Sequence, residues 1–400
     1  MEELFRYQNA LLAQVSDSFK RYLYTKLPWD ERFLCLKGLR GVGKTTIMLQ
    51  YLKYELKDTT RNLYVTLDHP YFYTHNLMDL AADFTLMGGQ VLLVDEVHKV
   101  QGWSGMIKHL YDAYPGLQVI ISSSSALELL KGEADLSRRV AIYDMGGLSF
   151  REYLELVHQI KLEPVTLENL LTNHVEIATA LSRQITTIPL FRDYLKTGYY
   201  PFAKNLRPES FQTRLMQTLD TTLNIDMAYI NDYSPENTYK IKKLLGVIVE
   251  SPPFSLNITS VAEKLGISRN TVKSYLHALE AAGVLNFLNR EGKGISILQK
   301  PDKIYLENTN LAYMLRSVNE IGNIREAFMV NQLQHAGLEI AQPKGPGDIY
   351  LPDKEILLEI GGKSKGKKQI QNETNAYIAA DDLEIGYLNK IPMYLFGMMY

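Results

Sequence analysis

The chain has 400 residues, 46% of them hydrophobic and 22% charged, with a formal net charge of −2. That length is too great for one ordinary core and calls for about two to four domains. A balance this close to neutral excludes a global basic field, so a nucleic-acid role would need a local patch. The 26 tyrosines could stack on bases, but half-buried packing is the commoner use of that ring. Cys35 is the only cysteine. It allows neither an internal disulfide nor a cysteine-based zinc site, which suits a reducing cytoplasm. The opening MEELFRYQNALL is acidic where a signal peptide is basic. The apolar stretch IGYLNKIPMYLFGMMY is broken by Asn389, Lys390 and Pro392, too interrupted for a membrane span. A soluble, cytoplasmic protein is expected.

In chain order, FLCLKGLRGVGKTTIMLQYL carries the first chemistry. Phe33 to Lys37 alternate as a short strand, Gly38 to Thr45 match G-x-x-x-x-G-K-[ST], and Thr46 to Leu52 continue as a helix. The glycines Gly38, Gly41 and Gly43 let the backbone of the loop, with Arg40 and Val42, curl its N–H groups toward phosphates. The helix that opens through Thr46 adds its positive N-terminal end. Lys44 is expected to reach the β- and γ-phosphates, and the Thr45 hydroxyl to ligate Mg²⁺.

QVLLVDEVHKV reads as a buried parallel strand ending in Asp95 and Glu96. Asp95 can hold Mg²⁺ through water. Glu96, one residue on, can polarise the attacking water, which favours ATP hydrolysis over simple binding. NLYVTLD, LQVIISSSS and VAIYDMGGLS supply further strands. Ser122, at the end of the second of these, stands where ATPases of this class place a γ-phosphate sensor. Strand and helix alternate, so the fold class is α/β with a doubly wound parallel sheet.

From Lys161 to Leu245 the pattern is helical and carries no chemistry, and the Gly198–Pro201 break marks the end of a lid. SLNITSVAEKLGISRNTVKSYLHALEAAGVLNFL then reads as a helix-turn-helix. Ser260 and Glu263 form a capping-box signature, Gly266 makes the turn, and Ser268 caps the second helix. Val272, Leu276 and Leu279 share one face. Arg269, Asn270, Lys273, Ser274 and His277 face outward, where a DNA-reading helix meets base edges. FLNREGKGISIL resembles a wing hairpin with Arg290 and Lys293 near its tip. The footprint is thin for DNA, and such modules also serve as spacers or protein contacts.

Toward the end, NIREAFMVNQLQHAG is a helix carrying Glu326. Strands follow at about Leu338, around Asp348 and around Glu359, then a helix from about Lys367 and two more strands. Nucleases of the restriction-endonuclease type place Asp, a gap and Glu-x-Lys on such a core, with metal on the carboxylates and the lysine assisting water. Here Glu359-Ile360-Gly361 puts glycine at the lysine position. Lys363 lies two residues on, roughly 6.6 Å along a strand, and a bulge at Gly361-Gly362 could swing it back. Either the lysine has migrated or the fold is degenerate and binds. Lys363, Lys365, Lys367 and Lys368 would then face phosphate or simply start a helix.

The segments GLRGVGKTT, LLVDEVHKVQGW, VIISSSSALEL, SRRVAIYDMGGLSFREYLEL, KIYLENTNLAYML and LEIGGKSKGKKQI together make the chain resemble a prokaryotic family of AAA-type ATP-binding proteins. Its members join an N-terminal ATPase to a C-terminal domain of unknown function. The resemblance covers nearly the whole chain. It implies a P-loop ATPase over residues 1–160, a helical lid over 161–245, a winged helix over 246–305 and a restriction-endonuclease-like module over 306–400. It also implies that Arg139 contacts a γ-phosphate, in cis or as a finger from a neighbouring subunit. The family's Thr-Gly-Ser-Ser at the sensor is Ser122-Ser123-Ser124-Ser125 here, which keeps the hydroxyl.

The expectation is an ATPase using ATP and Mg²⁺ whose nucleotide state positions the C-terminal modules on nucleic acid. The alternatives are a signalling switch for a protein partner and an ATP-regulated nuclease. A homo-oligomer is left open, and no membrane partner is expected.

Overall fold

The structure, a computed structural model, describes residues 1–123, 136, 138–227, 235–250, 256–290, 301–315 and 321–400. It divides into two compact units, Met1–Gly146 with Asn224–Tyr233, and Gly147–Leu223 with Ser234–Tyr400.

In the first unit, helices α1 (Glu2–Gln14) and α2 (Tyr22–Lys26) precede β1 (Phe33–Gly38). Then α3 (Lys44–Tyr51), β2 (Asn62–Thr66), α4 (Leu77–Leu86), β3 (Val91–Asp95), α5 (Trp103–Ala113), β4 (Gln118–Ser123) and β5 (Ala141–Met145) follow. The sheet order is β2-β3-β4-β1-β5, and every neighbouring pair is parallel. Parallel neighbours need crossovers, and α3, α4 and α5 supply them. Every residue of β3 is buried. Both parities of a strand can be buried only if both faces of the sheet are covered. Phe33, Leu63, Val94, Trp103, Ile107 and Leu110 belong to one apolar cluster within it. Cys35 is fully enclosed there, and burial pushes its thiol up to about 12, so it is a packing residue.

Parallel strands all point the same way, so the loops leaving β1, β3 and β4 gather at one edge of the sheet. The phosphate loop leaves β1 at Gly38, Asp95 ends β3, and Ser122 and Ser123 end β4.

The second unit opens on the helix Phe150–His158, whose start is a complete capping box: Ser149 accepts from the Glu152 backbone N–H, and Glu152 accepts from that of Ser149. The Ser149 hydroxyl and Arg151 Nε also donate to the Tyr400 carbonyl. The segment GLSFREYLEL therefore does structural work inside this unit. Phe150, Phe191, Phe328 and Tyr394 interlock with ring centroids 5.0–6.4 Å apart, the edge-to-face range.

Further along, helices Ile258–Leu265 and Arg269–Ala281 are joined through Gly266 at φ +63° and are followed by the antiparallel pair β6 (Leu285–Leu288) and β7 (Lys303–Leu306). The first of these helices is capped by Asn257, which accepts from the Thr259 and Ser260 backbone N–H groups, and not by the Ser260–Glu263 box expected from sequence. Ser268 caps the second as expected. After the helix Ile321–His335 come β8 (Ile349–Leu351), β9 (Ile356–Gly362), β10 (Ala376–Asp381) and β11 (Lys390–Pro392), in the order β11-β10-β9-β8. β8 is antiparallel to β9, and the other pairs are parallel.

Two expectations change here. The strand near Leu338 is reduced to two isolated bridges, Ala341 to Tyr350 and Gln342 to Arg290. The helix expected from Lys367 is one 3-10 turn, Lys367–Gln369. KKQIQNETN offers a single buried apolar side chain, Ile370, and a helix needs an apolar face to pack.

Gly147 is required by packing. A Cβ there would lie 2.3–2.5 Å from the Tyr199 ring. That ring cannot retreat, because Leu148 N–H donates to Tyr199 O and Tyr199 N–H donates to Asn310 Oδ1. We expect Gly147→Ala to cost about 1–3 kcal/mol of stability, seen as a lower thermal unfolding midpoint. An unchanged midpoint would mean that the Tyr199 site relaxes.

Candidate functional site

Gly41 and Gly43 have φ of +85° and +106°, conformations that only glycine adopts without strain. Gly43 caps α3, so the helix N-terminus opens directly into the loop. Lys44 Nζ donates to Gly38 O (2.8 Å) and Leu39 O (3.0 Å), which keeps the ammonium over the loop. Val42 is buried, Arg40 is half-buried and Thr46 is exposed. The loop is also held from behind. Buried Arg21 donates to Val42 O (2.5 Å) and Gly146 O (2.9 Å).

Asp95 is enclosed, at 2% exposure. Thr45 Oγ1 and Tyr64 Oη donate to its Oδ2, at 2.6 and 2.8 Å. Ser122 Oγ donates to its Oδ1 and accepts from the Glu96 backbone N–H (3.1 Å). Burial, with the Asp95 charge next, pushes the Tyr64 hydroxyl well above its ordinary pKa, so it stays a donor. Glu96 has φ +57°, a left-handed turn uncommon outside glycine. Its Oε2 is buried and makes no hydrogen bond, and lies 3.3 Å from His98 Nε2 and 3.9 Å from Arg40 Nη2.

The structure thus brings Gly38, Arg40, Gly41, Val42, Gly43, Lys44, Thr45, Asp95, Glu96 and Ser122 to one edge of one sheet. A hydroxyl and a carboxylate 2.6 Å apart form a hard-oxygen donor set of the kind Mg²⁺ takes. The ammonium and a loop turned by two positive-φ glycines suit a triphosphate. The residues fit ATP with Mg²⁺.

Arg139 lies away from this edge. Its Nε and Nη2 donate to Asp112 Oδ1 and Oδ2, at 3.2 and 3.4 Å. Leu34 pairs with Ala141, so Arg139 precedes β5 at the N-terminal edge of the sheet. The phosphate loop leaves from Gly38, roughly 13 Å further along at 3.3 Å per residue. Contact in cis with this loop's γ-phosphate is not available.

Residues 30–154 match the family described as an AAA domain. The first unit carries an AAA-type P-loop domain. Residues 188–321 match a domain of unknown function (DUF8612), which ends before the four-stranded sheet. The uncharacterized protein MJ1637 of Methanocaldococcus jannaschii is 26% identical over 384 residues, covering 89% of this chain and 81% of its own. Among solved structures, AMPPCP-bound DnaA from Aquifex aeolicus overlaps 70% of this chain and 88% of its own at 16% identity and a TM-score of 0.28. The Hsp104–ADP complex of S. cerevisiae overlaps 70% and 39% at 16% identity and 0.28. The assignment stands on the loop geometry and the AAA-domain match, not on these overlaps.

The second unit holds another charged cluster. Glu326 Oε2 accepts from Lys303 Nζ (3.2 Å) and Tyr305 Oη (2.6 Å), and Lys303 Nζ also lies 4.0 Å from Asp348 Oδ1. Asp348 Oδ2 accepts from the Ile360 backbone N–H (2.7 Å). Glu359 Oε1 is paired with Lys365 Nζ at 2.5 Å. Lys365, not Lys363, is therefore the lysine that reaches Glu359. The side chain of Lys363 is exposed, while its carbonyl accepts from Lys390 Nζ. Burial raises the pKa of both Glu326 and Glu359, with the adjacent lysines opposing. Among the described residues, no three His, Cys, Asp or Glu side chains converge as a metal site.

At the expected DNA-reading helix, Arg269 and Asn270 are exposed, and Lys273 and His277 are half-buried. His277 lies 3.3 Å from Glu280 and edge-on to Phe287. Arg290 is exposed, with its backbone N–H on Asp302 Oδ2 and its Nε 3.9 Å from Asp302 Oδ1. Lys293, Ser124 and Ser125 lie outside the described residues. Among the described residues, no helix is long and apolar enough to cross a membrane.

Sequence reading missed Tyr64, Arg21, His98, Lys303 and Tyr305. Partners that orient a metal-binding carboxylate commonly change metal affinity about 10–100-fold. We expect Tyr64→Phe to raise the Mg²⁺ concentration needed for tight ATP binding about tenfold, measured by fluorescent-nucleotide titration. An unchanged Mg²⁺ dependence would limit Tyr64 to packing.

Proposed function

We propose that the chain is a Mg²⁺-dependent ATPase. One observation carries this reading: the buried Glu96 oxygen without a hydrogen bond, one residue beyond an Asp95 gripped by Thr45, Tyr64 and Ser122. Thr45 and Asp95 would hold Mg²⁺, which supplies charge neutralisation at the phosphates. Lys44 and the loop N–H groups bind and orient the triphosphate. Glu96 orients a water and takes its proton as the new oxygen–phosphorus bond forms. The bond from the γ-phosphorus to the bridging oxygen breaks, and ADP leaves with that electron pair. Ser122, bonded to both halves of the acid pair, senses the γ-phosphate.

Lys44→Ala is expected to abolish tight ATP binding. Glu96→Gln is expected to keep binding and lose about 10²–10⁴-fold in turnover, the usual range for a general base. Nucleotide fluorescence and phosphate release measure the two. Turnover at the wild-type rate in Glu96→Gln would remove its role. At the far sheet edge Arg139 can serve only a neighbouring copy's nucleotide. Arg139→Ala should then lower the rate with little change in affinity, and mixing it with Lys44→Ala chains should restore turnover. An unaffected rate returns Arg139 to its pairing with Asp112.

For the second unit, the proposal is a winged-helix and nuclease-like module that binds nucleic acid under nucleotide control and does not cut it. The exposed Arg269 and Asn270 at the capped start of their helix support binding. The pairing of Glu326 and Asp348 with Lys303, and of Glu359 with Lys365, speaks against a bound metal. A protein-binding switch is the second reading, favoured by the pairing of Arg290 with Asp302. DNA and RNA would be incubated with the full chain and Mg²⁺ or Mn²⁺, with and without ATP, across a salt series. Salt-sensitive binding without cutting is expected. Cutting that disappears in Asp348→Ala would establish a nuclease, with Lys303 or Lys365 as its amine. Absence of both would favour the protein partner.

A further inference from the structure

Glu96 does not sit at the end of β3 in a relaxed extended conformation. Its φ and ψ of 57° and 43° turn the chain back on itself, and the 3-10 turn Val97–Lys99 follows at once. The turn is closed by Lys99 N–H on Glu96 O at 3.0 Å. A left-handed non-glycine residue is strained and persists only where its surroundings enforce it. The consequence here is specific. The turn swings the residue two places on, His98, back against the Glu96 side chain, with Nε2 3.3 Å from Oε2.

The His98 side chain is completely enclosed, and its other nitrogen, Nδ1, lies 3.5 Å from Ser123 Oγ. Ser122 and Ser123 are both fully buried and, as neighbours on a strand, point to opposite sides. Ser122 engages Asp95 and the Glu96 backbone. Ser123 stands at the back of His98, whose front edge faces the Glu96 carboxylate. The end of β4 thus supports the acid pair twice, through Ser122 directly and through Ser123 by way of His98.

The contact between His98 and Glu96 falls within ion-pair distance but closes no hydrogen bond, since Glu96 Oε2 has none. Arg40, inside the phosphate loop, lies 3.9 Å from the same oxygen. The carboxylate is therefore flanked by two nitrogen groups while one oxygen keeps its lone pairs. That arrangement suits a group that must be fixed in place yet still accept a hydrogen bond from a water.

We propose that His98 is a positioning residue for Glu96: backed by Ser123, it fixes the carboxylate that orients the attacking water, opposite Arg40 of the phosphate loop. The inference rests on Glu96 being the water-orienting base. The competing view is that His98 only fills space beneath the turn.

The test uses the full chain, ATP and Mg²⁺, with steady-state phosphate release, fluorescent-nucleotide binding and thermal unfolding. His98→Ala is expected to lower kcat by about tenfold or more, since general-base catalysis contributes about 10²–10⁴-fold. KM and nucleotide affinity should stay within about twofold. His98→Gln, which places an amide near the lost imidazole nitrogen, is expected to recover most of kcat. An unchanged kcat in His98→Ala would overturn the proposal. So would equal losses in both variants accompanied by a lower unfolding midpoint, which is what a space-filling role would give. Glu96→Gln separates this failure from that of the underlying reading. If Glu96→Gln turns over as fast as wild type, or wild type hydrolyses no ATP, the role of Glu96 fails and that of His98 falls with it. If Glu96→Gln is inactive while His98→Ala is unaffected, only the His98 inference is lost.

Discussion

A single buried carboxylate sets the geometry at the working edge of the first unit. Asp95 is almost without solvent, and a buried charge lacking donors is costly. Its donors come from three elements: Thr45 at the start of α3, Tyr64 on β2 and Ser122 on β4. β3 lies between β2 and β4 in the sheet. The register pairs Thr66 with Asp95, and Tyr64, two residues earlier, projects on the same face. Satisfying Asp95 therefore fixes where β2, β4 and the phosphate-loop helix end relative to β3. Because Ser122 also accepts from Glu96 N–H, it starts the turn that carries Glu96 and His98.

The phosphate loop is constrained from its other side. A loop that points its N–H groups inward must turn carbonyls outward, and those need donors if buried. Arg21 meets the Val42 carbonyl, and Lys44 meets those of Gly38 and Leu39. Gly38 has a steric reason as well, since a Cβ there would fall 2.3 Å from the Met145 carbonyl oxygen. Loop shape is thus held by backbone partners on both flanks.

How much of this was legible depended on whether the residue type itself carries the chemistry. Lys44, Thr45, Asp95 and Glu96 stand in fixed spacing because phosphates and a cation impose it, and Ser122 stood out as a hydroxyl ending an apolar strand. Tyr64 gave no such signal, since tyrosine in NLYVT reads as ordinary strand packing. Arg21 looked like any basic residue between two short helices. The sequence left Arg139 open between its own and a neighbouring copy's nucleotide, because it shows that Arg139 precedes a strand but not that this end of a parallel strand lies away from the loop. The lysine beside Glu359 was misjudged by two residues. The chain leaves β9 at Gly362 and turns, with Lys365 N–H on Gly362 O, so counting along an extended strand no longer applies. Lys303 and Tyr305 drew notice only as part of the segment KIYLENTNLAYML, yet β7 delivers both to Glu326.

The two acidic centres differ in the kind of partner they keep, and that difference decides what each can do. Around Asp95 the nearest donors are hydroxyls, which orient a carboxylate without cancelling its charge. Around Glu326, Asp348 and Glu359 the partners include the ammonium groups of Lys303 and Lys365. An ammonium at 2.5–3.2 Å offsets the charge a divalent cation would need, and displacing Lys303 would leave a buried lysine uncompensated, a loss of about 3–5 kcal/mol when one partner of a buried pair is removed. Tyr305 adds a further donor to Glu326, and Asp348 spends one oxygen on the Ile360 backbone. The cluster is thus internally closed and serves to bind β7, the helix Ile321–His335 and β9 together. At the end of β3, by contrast, Asp95 is held by hydroxyl donors and Glu96 keeps a buried oxygen without a hydrogen bond.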